Sequence, residues 1–217
     1  MALVAHLLPF FYTIAAFFWL NDLSVPDTSW LGVKYRLTKT APLLALAWTS
    51  WQTIASADTR YFLVCGNLFS ALGDFFLAGK ASLGQFSAGV FPFICAHLFY
   101  IPSFYAGHHW SSAGTVITAV TILVFVVVFQ KIPHPLLKIL LPLYGAILSA
   151  GLWFALSEWH AVPSEANLIR ALGYACFYLS DALLVLNWVK IEFSHPLHWI
   201  MITYFIGQLG IFLGSAL

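Results

Sequence analysis

Eight apolar segments of membrane-spanning length dominate the sequence and leave little choice of fold. They run over roughly 3–20, 40–56, 61–79, 86–105, 113–129, 136–156, 167–189 and 197–216. Each is close to the ~20 residues that an α-helix needs to cross a bilayer. Because a backbone in lipid must satisfy its own hydrogen bonds, the runs predict helices. The expected fold is all-α: a polytopic membrane bundle of about eight transmembrane helices, forming a single domain over residues 1–217.

Charge and cysteine content agree with a chain that lies mostly in lipid. Charged residues make up 8% of the sequence, against about 25% in a soluble domain. The net charge of +1 argues against nucleic acid as a partner. The three cysteines lie within apolar runs, which indicates reduced core residues rather than a disulfide framework. The lipid bilayer is therefore the first expected partner.

Two aspartates lie where a membrane helix should carry no charge. Asp74 is in the third segment and Asp181 is in the seventh, and we expect them to be the only acids well inside apolar segments. A charge at such a position costs roughly 2.5–3.5 kcal/mol on insertion scales, so an acid there indicates a functional site. In both stretches a glycine precedes the aspartate by eight residues and a leucine follows it by three.

The spacing of these stretches suggests an internal repeat. Asp181 follows Asp74 by 107 residues, and Tyr204 follows His97 by the same number. The halves would be helices one to four and five to eight, related by an axis along the membrane normal, which gives a parallel 4+4 repeat. The alternative is a chance recurrence of Gly and Leu in apolar helices.

Further polar side chains accompany the two acids on the same segments. Asn67, Ser70 and Asp74 share one face of the third helix, and Tyr178 shares a face with Asp181. The remaining candidates for substrate binding or support are Lys39, His97, Tyr100, Ser180, Asn187, Tyr204 and Gln208. Taken singly, each is also explained by an interhelical hydrogen bond, which often contributes under about 1 kcal/mol. Lys39 is expected at the start of the second helix, where lysine is often an interfacial anchor.

Basic residues predict the orientation of the chain. Seven lie in odd-numbered loops and two in even-numbered loops: Lys34, Arg36, Lys39, Lys80, Lys131, Lys138 and Lys190 against Arg60 and Arg170. The odd loops should then face the cytoplasm, with both termini on the opposite side. Both aspartates would lie in the cytoplasmic half of the membrane.

Metal chemistry is not indicated by the sequence. The pairs His108-His109 and His195–His198 lie at segment ends, and no carboxylate nearby in sequence completes a site. We expect no metal and no cofactor.

Five short motifs occur in order along the chain. They are Lys39 with Pro42, the run Phe69–Leu77 around Asp74, His97 with Tyr100, Ser180-Asp181 followed by Asn187, and Tyr204 with Gln208. Together they resemble the motifs of the lysoplasmalogenase (YhhN-like) family of eight-helix integral membrane proteins. The resemblance implies a multi-pass enzyme of a bacterial inner membrane or a eukaryotic internal membrane. It would hydrolyse the vinyl ether bond of lysoplasmalogens, giving a fatty aldehyde and glycerophosphocholine or glycerophosphoethanolamine.

The two aspartates suit that chemistry. Cleavage of a vinyl ether begins with a proton on its outer alkene carbon, which leaves an oxocarbenium ion for water to attack. Two nearby carboxyls tend to share one proton, and so supply an acid and a carboxylate at neutral pH. Asp74 and Asp181 are the expected catalytic pair. Lys39 would bind the phosphate of the lysophospholipid or pair with one of the acids.

Three other functions use membrane aspartates. An intramembrane aspartyl protease needs glycine where Ala71 stands and tyrosine where Ser180 stands, so it does not fit. A proton-coupled transporter could use the same carboxylates within a parallel repeat. A non-catalytic lipid-binding membrane protein is the third alternative.

Overall fold

The chain is helical throughout the described residues, which contain no strand. The computed structural model describes residues 2–24, 32–78, 83–132 and 134–217, with backbone alone at residues 2 and 83–85. Eight α-helices follow one another, with a short 3-10 helix, Ile101–Ser103, after the fourth. They are α1 (Ala2–Leu20), α2 (Val33–Thr53), α3 (Ala57–Leu77), α4 (Leu83–Tyr100), α5 (Ser111–Phe129), α6 (Leu137–Ala161), α7 (Glu165–Trp188) and α8 (Pro196–Ala216). The predicted all-α fold is confirmed.

Six helical stretches are long and apolar enough to cross a membrane by length and composition. They belong to α1, α4, α5, α6, α7 and α8. The other two helices carry more charge: α2 contains Lys34, Arg36 and Lys39, and α3 contains Asp58, Arg60 and Asp74. The least apolar pair of helices therefore holds the first of the two aspartates.

The chain divides into two compact units. The first, Met1–Ser103, contains α1 to α4, and the second, Phe104–Leu217, contains α5 to α8. Within each unit, helices adjacent in sequence pack against one another. The boundary falls where the predicted repeat would divide the chain.

Helix α2 begins at Val33, seven residues before the segment predicted from apolar residues. The extra turns carry charged side chains, so they lie outside the segment predicted from apolar residues. They nevertheless pack like the rest of the helix. Tyr35 is buried against the ring of Phe17 at 5.4 Å, and the Arg36 guanidinium lies over the ring of Phe75 at 5.4 Å. Lys39 is consequently in the second turn of α2, and its expected place at the helix start is wrong.

Helix α6 ends at Ala161, beyond the predicted boundary at residue 156. The added residues include Glu158, whose side chain is 3% exposed. Glu158 is thus a further buried acid, but it lies outside the predicted segment and three residues before the end of α6. Glu158 escaped notice because it lies among polar residues near the end of the segment.

Two helix pairs, α3–α4 in the first unit and α7–α8 in the second, each have internal contacts at equivalent positions. In the first unit, Gly66 lies against the ring of Tyr100 and Gly73 lies against the ring of Phe93. The equivalent contacts, 107 residues later, also exist. A Cβ on Gly207 would come within 3.0 Å of the carbonyl oxygen of Gly173, and Ser180 Oγ donates to the carbonyl of Ile200 at 2.9 Å. This shared register supports the predicted duplication.

Candidate functional site: two acids with their polar partners

Asp74 forms an ion pair with Lys39 in the first unit. The distance from Lys39 Nζ to Asp74 Oδ1 is 3.0 Å, and the two side chains are 12% and 1% exposed. Asp74 is in the last turn of α3, three residues before Leu77, and its position brings it to the second turn of α2. A buried acid is expensive unless an opposite charge accompanies it. Lys39 therefore compensates the charge that Asp74 would bring into the protein interior.

A network of hydrogen bonds continues along the face of α3 that carries Asp74. Tyr100 Oη donates to Asn67 Oδ1 at 2.9 Å, and Tyr100 Oη and Ser70 Oγ lie 3.1 Å apart. Asn67 Nδ2 in turn donates to Ser50 Oγ on α2 at 3.2 Å. Gly66 makes room for the tyrosine, since a Cβ there would lie 2.3 Å from its ring. These hydrogen bonds join α2, α3 and α4 and fix how the three helices are aligned along one another.

His97 belongs to the same interior. Its side chain is fully buried on α4, and its ring centroid lies 5.9 Å from that of Tyr100. Asn67 and Ser70, on the helix that carries Asp74, thus lie together with His97 and Tyr100 of α4.

Asp181 has a tyrosine partner in the second unit. Tyr144 on α6 donates its hydroxyl hydrogen to Asp181 Oδ2. The two residues line a cavity of about 50 Å³, which has room for one or a few water molecules. Asp181 therefore lies where a carboxyl group and a water can meet.

Tyr178 lies one turn before Asp181 and lines the same cavity. Its hydroxyl oxygen and Thr121 Oγ1 on α5 are 2.7 Å apart, and Thr121 Oγ1 is also 2.7 Å from Ser149 Oγ on α6. Three helices are joined by this cluster. Tyr178 and Asp181 consequently share a face, as their spacing suggests.

Most of the remaining candidates in the second unit either connect two helices or lie near the end of one. Ser180 is buried and bonds to the backbone of α8. Gln208 Nε2 donates to Tyr204 Oη at 3.4 Å, and the Tyr204 ring packs on Phe177. Asn187 lies in the last turn of α7, where its carbonyl oxygen accepts from Lys190 N at 3.0 Å. Ser180 and Tyr204 thus connect α7 with α8, whereas Asn187 lies at the C-terminal end of α7.

His108 has a carboxylate partner that is distant in sequence. Glu158 Oε2 lies 2.6 Å from His108 Nδ1, and Glu158 Oε1 accepts from Ala106 N at 2.8 Å. A carboxylate does join His108, because the chain before α5 folds back onto the end of α6. The described residues form no group of three or more potential metal ligands.

The sequence analysis missed the tyrosine and the hydroxyl groups that surround Asp181. Tyr144 stands in an apolar segment between Pro142 and Gly145, so the argument applied to other intramembrane polar groups would have selected it. Thr121 and Ser149 carried no such signal, because single hydroxyls in apolar helices commonly bond to their own backbone.

The comparison with protein families covers both acids. A family model described as the YhhN family matches residues 35–215. The matched range includes all twelve candidate residues, from Lys39 to Gln208. No curated protein and no solved structure matches the chain at a significant level. Since the match covers most of the sequence, the chain belongs to the YhhN family.

Proposed function

We propose that the protein is a membrane-embedded lysoplasmalogenase, which hydrolyses the vinyl ether bond of single-chain alkenyl glycerophospholipids. The observation that carries the proposal is the buried ion pair of Asp74 with Lys39, within the range that matches the family. A buried acid with a dedicated counterion is more than helix packing requires. Family membership is compatible with a hydrolase, and it favours this activity over transport.

The reaction consumes one water and makes two products. A proton adds to the outer alkene carbon, and the positive charge develops on the inner carbon and the ether oxygen. Water then adds to the inner carbon, and the resulting hemiacetal loses the glycerol oxygen as an alcohol. The products are a fatty aldehyde and a glycerophospho-alcohol.

Each of the two acids is assigned the catalytic role that its surroundings favour. Asp74, opposite Lys39, is the carboxylate that stabilises the oxocarbenium ion. Asp181 donates the proton to carbon and then, as a carboxylate, takes one from the attacking water, as the acid of a retaining glycosidase does. The cavity lined by Asp181 and Tyr144 is large enough for that water.

Purified protein incubated with a 1-alkenyl lysophospholipid should release free aldehyde. Asp74→Asn and Asp181→Asn should each lower kcat by about 10²–10⁴-fold, because each removes a proton-transfer or charge-stabilising group at nearly constant volume. The matched substrate control is the saturated 1-alkyl ether, which has no alkene to protonate and should give no product.

Substantial activity in either asparagine variant would contradict the aspartate-pair mechanism. Absence of aldehyde from the folded wild-type protein would contradict the enzyme itself. Proteoliposomes that move a solute without making aldehyde would instead indicate the proton-coupled transporter.

A further inference from the structure

An apolar groove runs between α5 and α6 in the second unit. It has a volume of about 660 Å³, within the ~300–1,000 Å³ of small-molecule sites. Its lining extends along α5 from Gly114 to Gln130, which at about 1.5 Å per residue corresponds to roughly 24 Å. One leaflet of a bilayer has a hydrocarbon depth of about 15 Å. The part from Gly114 to Phe125 accounts for roughly 16 Å of this length, which is close to the depth of one leaflet.

The groove adjoins the cavity of Asp181. Thr121 and Phe125 line both, and the Phe125 ring lies over Gly145, where a Cβ would come within 2.5 Å of it. A chain lying in the groove passes the hydroxyl of Thr121 and the ring of Phe125. The shared residues lie near the middle of the groove, so a bond held beside Thr121 and Phe125 is next to the cavity that Asp181 lines.

The two ends of the groove differ in polarity. At one end lies the Trp153 indole, which packs on Gly114 and donates Nε1–H to the carbonyl of Trp110 at 2.8 Å. The other end contains Gln130 and is followed by Lys131. A lipid with one apolar chain and one charged head group matches this polarity.

We propose that the α5–α6 groove binds the alkenyl chain of the single-chain substrate, with the tail toward Trp153 and the vinyl ether at Thr121 and Phe125. The proposal rests on the proposed function, since it places the substrate of that reaction. A lipid with two chains has a second chain that this groove does not hold, so the groove also selects the lyso form.

Substitution of a small groove residue tests the assignment. Ala150→Trp, which fills the groove on the α6 side, should raise KM for long-chain substrates and affect short-chain substrates less. The rise in KM should grow with the number of chain carbons that the indole displaces from the groove. The matched control is Leu143→Trp, on the same helix at an exposed position that does not line the groove, and its kinetics should stay near wild type.

A binding measurement on the wild-type protein is independent of turnover and of variant folding. The probe is a saturated 1-alkyl lysophosphocholine with a diazirine at the end of its chain. Labelling of α5 or α6 residues around Trp153, displaced by excess unlabelled single-chain lipid and not by two-chain phosphatidylcholine, supports the proposal. Labelling elsewhere, or equal displacement by the two-chain lipid, overturns it.

The two proposals fail in different ways. Aldehyde release by wild-type protein with identical KM values in Ala150→Trp and Leu143→Trp overturns the groove and leaves the activity standing. If no aldehyde forms, the activity is overturned, and the labelling result alone decides whether a single-chain lipid occupies the groove.

Discussion

Lys39 shows how a residue's role depends on the helix that carries it. At a helix start in the membrane interface, a lysine would meet phosphate groups. In the second turn of α2 it contacts a carboxylate 3.0 Å away and is largely buried. The structure places Lys39 against Asp74, and its contact with the phosphate of the substrate stays a prediction.

Lys39→Ala should lower kcat more than it raises KM, because Asp74 loses the counterion that keeps it charged. The pH–rate profile should also shift in this variant. Lys39→Arg keeps the charge and should retain part of the activity. A changed KM with an unchanged kcat would instead indicate that Lys39 binds the phosphate.

Tyr144 is expected to position Asp181 without touching the substrate. Tyr144→Phe removes one hydrogen bond to the carboxyl group, worth about 0.5–1.5 kcal/mol, so kcat should fall by roughly 2- to 10-fold. The position of the pH–rate profile should also change. Tyr178→Phe is the matched control, because its hydroxyl lines the same cavity and bonds to Thr121. Equal losses in both variants would count against a specific role for Tyr144.

The candidate residues of the first unit could be found from sequence because they share helix faces. The spacing of Asn67, Ser70 and Asp74 places all three on the buried side of α3. Partners on other helices could not be found in this way: nothing in the spacing of Lys39 or Tyr144 says which acid each one meets. Those pairings depend on helix packing and on true helix ends.

At the scale of the element, α7 and α8 pack with their backbones in contact. A Cβ on Gly173 would lie 2.7 Å from the carbonyl carbon of Gly210, and one on Gly214 would lie 2.6 Å from the carbonyl oxygen of Ala166. Close approach at small residues is a common means of joining membrane helices, which gain little from the hydrophobic effect. In the pair α3–α4, side chains instead fill these positions: Gly66 and Gly73 meet the rings of Tyr100 and Phe93, and Gly89 meets Leu77.

Gly173→Ala should destabilise the protein by about 1–3 kcal/mol, because backbone atoms on α8 cannot move aside without separating the helices. The direction of the change in stability is informative, because replacing glycine by alanine within a helix usually stabilises the helix by about 1 kcal/mol. Gly145→Ala is the control, because its neighbour is the movable ring of Phe125. Thermal unfolding in detergent measures both, and a Gly173→Ala variant as stable as wild type would contradict the close packing.

The helices themselves were predictable, but several of their ends were not. Apolar length identified all eight, because lipid requires such segments. It failed at the start of α2 and the end of α6, where Lys39 and Glu158 lie. There, charged side chains continue the helix by pairing with other parts of the chain, and hydropathy excludes them.

At the scale of the whole molecule, the distribution of basic residues still predicts the orientation. Lys34, Arg36 and Lys39 belong to the first turns of α2, and Lys80 lies outside the described residues. The excess of basic residues on the side of the odd-numbered connections is otherwise unchanged. Asp74 and Asp181 precede the ends of their helices by three and seven residues, so both would lie toward the cytoplasmic side.

A reporter fused after Leu217 should therefore read as non-cytoplasmic. A cysteine in place of Lys131, which is exposed after α5, should react only with a reagent that reaches the cytoplasmic side. The three native cysteines need replacement first. A cytoplasmic C-terminus would reverse the orientation and move both acids to the other leaflet.

The pairing of Lys39 with Asp74 has a consequence for how the chain enters the membrane during synthesis. Neither α2 nor α3 is among the stretches apolar enough to span alone. Inserted separately, each would bring an uncompensated charge into lipid, at roughly 2.5–3.5 kcal/mol near the bilayer centre. Released together as a hairpin, they bring a neutralised pair. The ribosome completes α3 soon after α2, so the favourable order of events is for the translocon to hold the first helix until its partner arrives.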